Sequence, residues 1–242
     1  MIIKFCKQLD MKKIAIIGAH TAADMVYNII KRYNLFKVVC FSVDKIFLQG
    51  RSTYNGLPLV SLDDLPNFIS KSDDYVFVSI QWNRLNSDRK NVYEKVKNSG
   101  YRCANVIAPS AIIQDNVVLG DNILVYEGAI IEFNSVIGND TFIKTGAYIS
   151  HLCNIGDHCF IGAESLIAGA VTIGEQCFVG IGATVFDQVV IGEKCIVGAK
   201  CIIKRNLPSY SLVRVCVDTS QTIKQLGPEE IEKKLIASQN VR

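Results

Sequence analysis

The chain lacks most of what marks a membrane, metal or nucleic-acid protein. No run approaches the ~18 consecutive apolar residues of a membrane span. The opening residues, MIIKFCKQLD, hold no long apolar core of a signal peptide. Lysines and arginines never cluster, and a formal net charge of +3 is too mild to argue for nucleic acid. With three histidines and no Cys-x-x-Cys pair, no metal site is expected. Gly-x-Gly-x-x-Gly is missing too, which disfavours a nicotinamide cofactor.

The nine cysteines do not form a disulfide framework. Cys153, Cys159, Cys177, Cys195 and Cys201 recur at one repeat position that Ala, Ser, Thr and Val otherwise fill, so they read as small buried side chains. A reducing, cytoplasmic setting is expected.

What is present is a repeat. From Ala111 to Asn206 the chain divides into sixteen hexads without a break, and the third position of each is Ile, Val or Leu. Such self-similarity defines the architecture before any local propensity does. A period of six suits neither a helix nor plain hairpins. It suits short strands coiled three to a turn, each burying one aliphatic side chain. An 18-residue super-period supports this. The hexads at Val117, Ser135, Cys153, Val171 and Val189 all carry aliphatic-Gly followed by Asp, Glu or Asn. Gly120, Gly138, Gly156, Gly174 and Gly192 therefore stack on one corner, where positive φ is expected to turn the chain. The second corner carries His151 and, one coil later, Ala168-Gly169-Ala170. The third is small: Gly162-Ala163, Gly180-Ile181-Gly182, Gly198-Ala199. The whole reads as a three-sided solenoid of about five coils.

Before the repeat, strands and helices alternate, as in a small parallel α/β sheet. Strands are expected at 12–18, 37–43, 57–60 and 75–80, and helices at 22–33, 62–70 and 83–99. Ligands of such sheets lie beyond the strands' carboxyl ends, here GAHT, Ser42-Val43-Asp44 and Ile80-Gln81-Trp82-Asn83. After the repeat, 211–217 reads as one more strand and 228–237 as a short helix capping the last coil, its acids early and lysines late. The expected division is 1–10, an N-terminal extension before MKKIAIIG; 11–105, the α/β domain; 106–206, the solenoid; and 207–242, a C-terminal extension.

The hexads, with HLCNIGDHCFIG and LIAGAVTIGEQCFVGIGATV behind an α/β domain, resemble the sugar O- and N-acyltransferases grouped with sialic acid O-acetyltransferase. The resemblance covers roughly 12–225. It implies a left-handed parallel β-helix after a Rossmann-like domain that holds the nucleotide part of a nucleotide-linked sugar. It also implies an acyl-CoA donor, acetyl-CoA first, and a homotrimer with sites between subunits. Surface-glycan assembly is the implied setting. Gly18, His20 and Asp44 are the implied acceptor contacts, although GAHTAAD departs from the Gly-Gly-His-Gly run of many relatives. Phe160, Gly169, Ala170, Ile181, Gly182 and Ala199 are the candidate acyl-CoA contacts.

Acyl transfer needs a base for the acceptor's proton, and His is the usual one near neutral pH. His151 matches the family's HxCxIGD motif through Cys153, Ile155, Gly156 and Asp157. His158 falls at a position otherwise filled by polar residues and is expected to face solvent. The acid, or second His, that follows the base in several relatives is replaced by Leu152. Glu132, one coil earlier, is a substitute, but a solvated Glu is the stronger expectation. Phe133, Leu152, Phe160 and Phe186 read as apolar surface residues consistent with burial between subunits, with core packing the alternative for some of them. Three readings stay open: N-acylation of a nucleotide-linked amino sugar, O-acylation of a sialic-acid type, and a non-catalytic sugar-binding solenoid.

Overall fold

The computed structural model describes residues 11–215 and 221–234. The expected extension 1–10 lies outside them, as do the last two residues of the strand expected at 211–217 and the last three of the helix expected at 228–237.

The first domain is a five-stranded sheet in the order β3-β4-β2-β1-β5. Its strands are β1 (Lys13–Ile17), β2 (Lys37–Val43), β3 (Thr53–Tyr54), β4 (Leu57–Ser61) and β5 (Tyr75–Val78). All pairs are parallel except β3–β4. Helix α1 (Thr21–Tyr33) follows β1, and α2 (Ser87–Asn98) follows β5. The helix expected at 62–70 is only a 3-10 turn, Leu65–Asn67. Pro66 has no N–H to give and restricts the residue before it. Alternation along β1 sends Ile14 and Ile16 to the side shared with α1 and Phe77, and Ala15 and Ile17 to the side shared with Tyr93 and Val96 of α2.

The solenoid follows as two-residue strands from β6 (Val106–Ile107) to β22 (Ile202–Ile203), stacked in parallel on three faces. Residues 18 apart pair: Ile131 with Ile149, Ile137 with Ile155, Ile143 with Ile161. The third-position aliphatics from Val125 to Ile203 line one continuous core, closed by Val213. The five first-position cysteines are buried in that core and free.

One corner works differently from the expectation. The stacked glycines do not have positive φ. That conformation falls two residues later, on Asn122, Asp140, His158, Gln176 and Lys194. Glycine is required for close approach instead: a Cβ on Gly156 would lie 2.7 Å from the backbone nitrogen of Glu175 in the next coil.

The face that begins at Val106 is covered by the first domain. Leu124, Phe142 and Phe160, with Phe178 partly buried, occupy its outward position and join the core that contains Phe41 and Phe77. Phe77 stacks on Phe142 at 5.8 Å, and Phe160 on Phe178 at 5.0 Å. Phe160 is thus a buried interdomain residue, not an exposed one. The junction also holds a charge. Arg89 of α2 is fully buried, its Nε 3.1 Å from Asp140 Oδ2 and its guanidinium 4.1 Å above the Phe142 ring. It donates to the carbonyls of Asp140 and Cys159. His158 closes the same cluster: its Nδ1 lies 2.8 Å from Asp140 Oδ2, and its ring packs edge-on against Tyr93. His158 therefore does not face solvent; α2 covers it.

After the solenoid, β23 (Ser211–Val215) joins the covered face and β24 (Gln221–Gln225) pairs antiparallel with it. Helix α3 (Pro228–Lys234) buries Ile231 against Leu85, Ile196 and Leu226. It packs on the outer side of the covered face at Ile196 and on the first domain at Leu85.

Candidate active site

His151 stands on a solenoid corner between Ser150 and Leu152, half-exposed, its ring stacked on Phe133 at 5.4 Å. Its environment comes from the coil before and the coil after. Glu132, from the preceding coil, is not a solvated side chain. Its Oε2 accepts from the backbone N–H of His151 at 3.0 Å, from Ser150 Oγ at 2.7 Å, and lies 3.1 Å from His151 Nδ1. Its other oxygen accepts from the Tyr148 hydroxyl. The Tyr148 and Ser150 hydrogen bonds, ahead of those from His151, hold the Glu132 carboxyl down to about 2. An ionised carboxylate only accepts, so His151 Nδ1 donates to it, and in the neutral imidazole Nε2 presents the lone pair.

That lone pair meets the next coil at Gly169. A Cβ there would sit 2.8 Å from Nε2, so only glycine leaves the imidazole its space. The Gly169 N–H is held by Asp187 Oδ1 at 3.0 Å. Ala170, beside it, is exposed with left-handed backbone. The corner places the His151 imidazole next to small residues. Leu152 projects outward from a left-handed position and takes no part in orienting the ring.

The other expected donor contacts are not at this corner. Ile181, Gly182 and Ala199 lie on the next edge of the prism, around the turns at 180–183 and 198–201. Phe160 and Ile181 share a smaller, mainly apolar cavity of about 230 Å³ with Trp82, Tyr126, Phe178 and Lys144. Lys144 Nζ sits 3.5 Å from the Tyr126 ring centroid. Desolvation there lowers its ammonium to about 8, against the opposing pull of Glu127.

Gly18, His20 and Asp44 come together. They line a cavity of about 480 Å³ at the carboxyl ends of the first-domain strands, with Arg51, Asn83 and Asp88. Gly18 has φ +129°, and a Cβ would fall 2.6 Å from Ser79 Oγ. His20 caps α1 by accepting from Ala22 N–H at 3.3 Å. Burial lowers its pKa, with Asp24 opposing. Asp44 is ion-paired to Lys95 of α2. His151 lines neither of these two cavities within the chain.

Sequence reasoning missed the left-handed turn ahead of α2. Arg84, Leu85 and Asn86 have φ of 46°, 53° and 64°. Left-handed backbone costs roughly 1–2 kcal/mol per L-residue, so this turn is held by its surroundings. The expected helix start at Asn83 moves to Ser87 for that reason.

A coil of hexads with a carboxylate-oriented histidine defines a hexapeptide-repeat acyltransferase. The family model for bacterial transferase hexapeptide (six repeats) matches residues 134–169, and that for the hexapeptide repeat of succinyl-transferase matches 154–186 and 170–205. A comparison with curated sequences finds no match. Among solved structures, a histidine-to-asparagine mutant of perosamine N-acetyltransferase from Caulobacter crescentus, in complex with CoA and GDP-perosamine, is 31% identical. That alignment covers 88% of this chain and 96% of the other, with a TM-score of 0.76. The acetyltransferase domain of PglB from Neisseria gonorrhoeae shares the fold at 23% identity and a TM-score of 0.74, over 84% of this chain and 96% of that one. WeeI from Acinetobacter baumannii does so at 21% identity and a TM-score of 0.74, over 88% and 100%. The chain belongs to the hexapeptide-repeat, left-handed β-helix sugar acyltransferases.

Proposed function

We propose that the protein transfers an acetyl group from acetyl-CoA to the amino group of a nucleotide-linked sugar, with His151 as general base. The observation that carries this reading is the His151–Glu132 pair, which engages Nδ1 and turns Nε2 toward Gly169. The acceptor's neutral amine attacks the thioester carbon as Nε2 takes its proton. The tetrahedral intermediate collapses by breaking the C–S bond, and the proton passes to the departing CoA sulfur. N-acylation is preferred to O-acylation because the 31% identical protein is an N-acetyltransferase solved with a nucleotide-linked amino sugar.

The acceptor's nucleotide is assigned to the 480 Å³ cavity, with Gly18 and His20 at the α1 N-terminus, where backbone N–H groups suit phosphate. Asp44 lies in the same wall. Gly169 and Ala170 take the thioester end of the donor; Ile181, Gly182 and Ala199 take the pantetheine from another copy. One chain holds these two sets on different edges, so the reading includes a homotrimer. Exposed Phe133, Leu152, Ile181 and Phe186 support it, as apolar corners in want of a partner. Surface-glycan assembly is the setting the substrate implies. The non-catalytic reading loses its main support, since Glu132 does what the residue at Leu152 does not. Incubation with acetyl-CoA and a panel of nucleotide-linked amino sugars, reading free thiol, tests the proposal. Acceptor-dependent thiol release is expected, and its absence across the panel counts against it.

A further inference from the structure

The left-handed turn before α2 is closed by Asn86 N–H to the Trp82 carbonyl at 3.1 Å. L-residues visit this conformation singly, not three in a row. The turn persists because it is tied down from two directions. The solenoid supplies Gln176, whose Nε2 donates to the Leu85 carbonyl at 3.0 Å, and the Cys177 carbonyl, which accepts from Asn86 Nδ2 at 3.2 Å. The C-terminal segment supplies Leu226 and Ile231, which together with Ile196 of the solenoid enclose the fully buried Leu85 side chain. On either side of the turn, Asn83 and Asp88 line the 480 Å³ cavity. A relaxed, right-handed backbone at 84–86 would carry both side chains elsewhere.

We infer that the C-terminal segment, through Ile231 and Leu226, holds Leu85 so that the strained turn shapes the acceptor's nucleotide site. Leu85 and Ile231 are then positioning residues for acceptor recognition. This rests on the assignment of that cavity to a nucleoside diphosphate. Strain at a ligand wall, stabilised from outside the site, is how a fold fixes a geometry its local sequence does not favour.

The test is calorimetric titration of the full-length protein with guanosine diphosphate and with uridine diphosphate, alongside kinetics. Ile231→Ala is expected to weaken the diphosphate that wild type binds, and to raise KM for the nucleotide-linked amino sugar, each roughly 10-fold. Its kcat and CoA affinity should stay at wild-type values. Adding Arg84→Gly should restore most of the affinity, because glycine accepts positive φ without the external hold. The Arg84–Asp88 pair lost with it is exposed and worth little. If Ile231→Ala does not fold, Ile231→Val should show a smaller loss in the same direction. Unchanged diphosphate affinity in the Ile231 variant, or no recovery with Arg84→Gly, overturns the inference while leaving the cavity assignment intact. Wild type that binds neither diphosphate overturns the assignment and the inference with it.

Discussion

His151 Nδ1 lies 3.1 Å from Oε2 of Glu132, a residue 19 positions earlier in the chain and one coil below. The pair fixes both the tautomer and the rotation of the imidazole, since the same oxygen accepts the His151 backbone N–H. A neutral amide at 132 makes a weaker, unpolarised contact and can present its NH₂ to Nδ1, favouring the wrong tautomer. Glu132→Gln is expected to lower kcat roughly 10²-fold, with CoA affinity and melting temperature little changed. Steady-state kinetics beside CoA titration checks this.

The same carboxylate stabilises the fold over a defined pH range. Glu132 is held at about 2 against an ordinary value of 4.5, chiefly by the Tyr148 hydroxyl. A depressed carboxyl contributes stability that is complete above its unfolded pKa and lost as pH falls through the folded one. Wild type should therefore lose stability relative to Glu132→Gln between about pH 4.5 and 2. Urea denaturation of both proteins across that window should show the two curves converging.

Lys144 has the same slope in a higher pH window but the opposite net effect, since burying its ammonium costs stability at neutral pH. Its ammonium is lowered from 10.5 to about 8 by desolvation among Tyr126, Phe142 and Phe178. Between about pH 8 and 10.5 the unfolded chain binds a proton that the folded one does not, so stability rises with pH there. Lys144→Met is expected to raise the melting temperature below pH 8 and to flatten that rise. Thermal melts at pH 7 and pH 10 decide it.

The junction between the domains depends on Arg89 and Asp140, both with fully buried side chains. Removing Arg89 takes away the guanidinium and leaves the buried Asp140 with Asn122 and His158 as its side-chain partners. Arg89→Met is expected to cost about 3–5 kcal/mol. Arg89→Met with Asp140→Asn should cost less than Arg89→Met alone, because no buried charge is left over and Asn tolerates the left-handed backbone at 140. Equilibrium unfolding of the single and double variants measures the difference.

The solenoid was legible because each coil repeats one decision: an aliphatic at the third position, paired 18 residues away. The covered face carried a readable signal as well. Phe142, Phe160 and Phe178 recur at the second hexad position with the same spacing, where one other face carries Val, Asn and Thr and the remaining one carries Ile, Tyr, Leu and Thr. Read that way, Phe160 belongs under the first domain. His158 and Glu132 were misjudged for a shared reason. Each sits at a repeat position that is polar elsewhere, and its burial or pairing is set by a neighbour distant in the chain: α2 for His158, the next coil for Glu132. The glycine corner was located correctly and explained wrongly, since coil-to-coil approach, not φ, excludes a side chain at Gly156. The left-handed turn at 84–86 left little mark in the sequence, because Arg84 and Leu85 do not favour it and tertiary contacts impose it.

In the proposed reaction His151 accepts the proton as the acceptor amine attacks acetyl-CoA. The most direct measurement is the rate of acceptor-dependent thiol release by wild type and His151→Ala under saturating substrates. His151 is half-exposed on a corner, outside the aliphatic ladder, so its truncation opens no core cavity. The expected result is a fall of ~10²–10⁴-fold in His151→Ala, with CoA affinity and melting temperature unchanged. Wild-type rates in His151→Ala, with the true acceptor, would contradict the account.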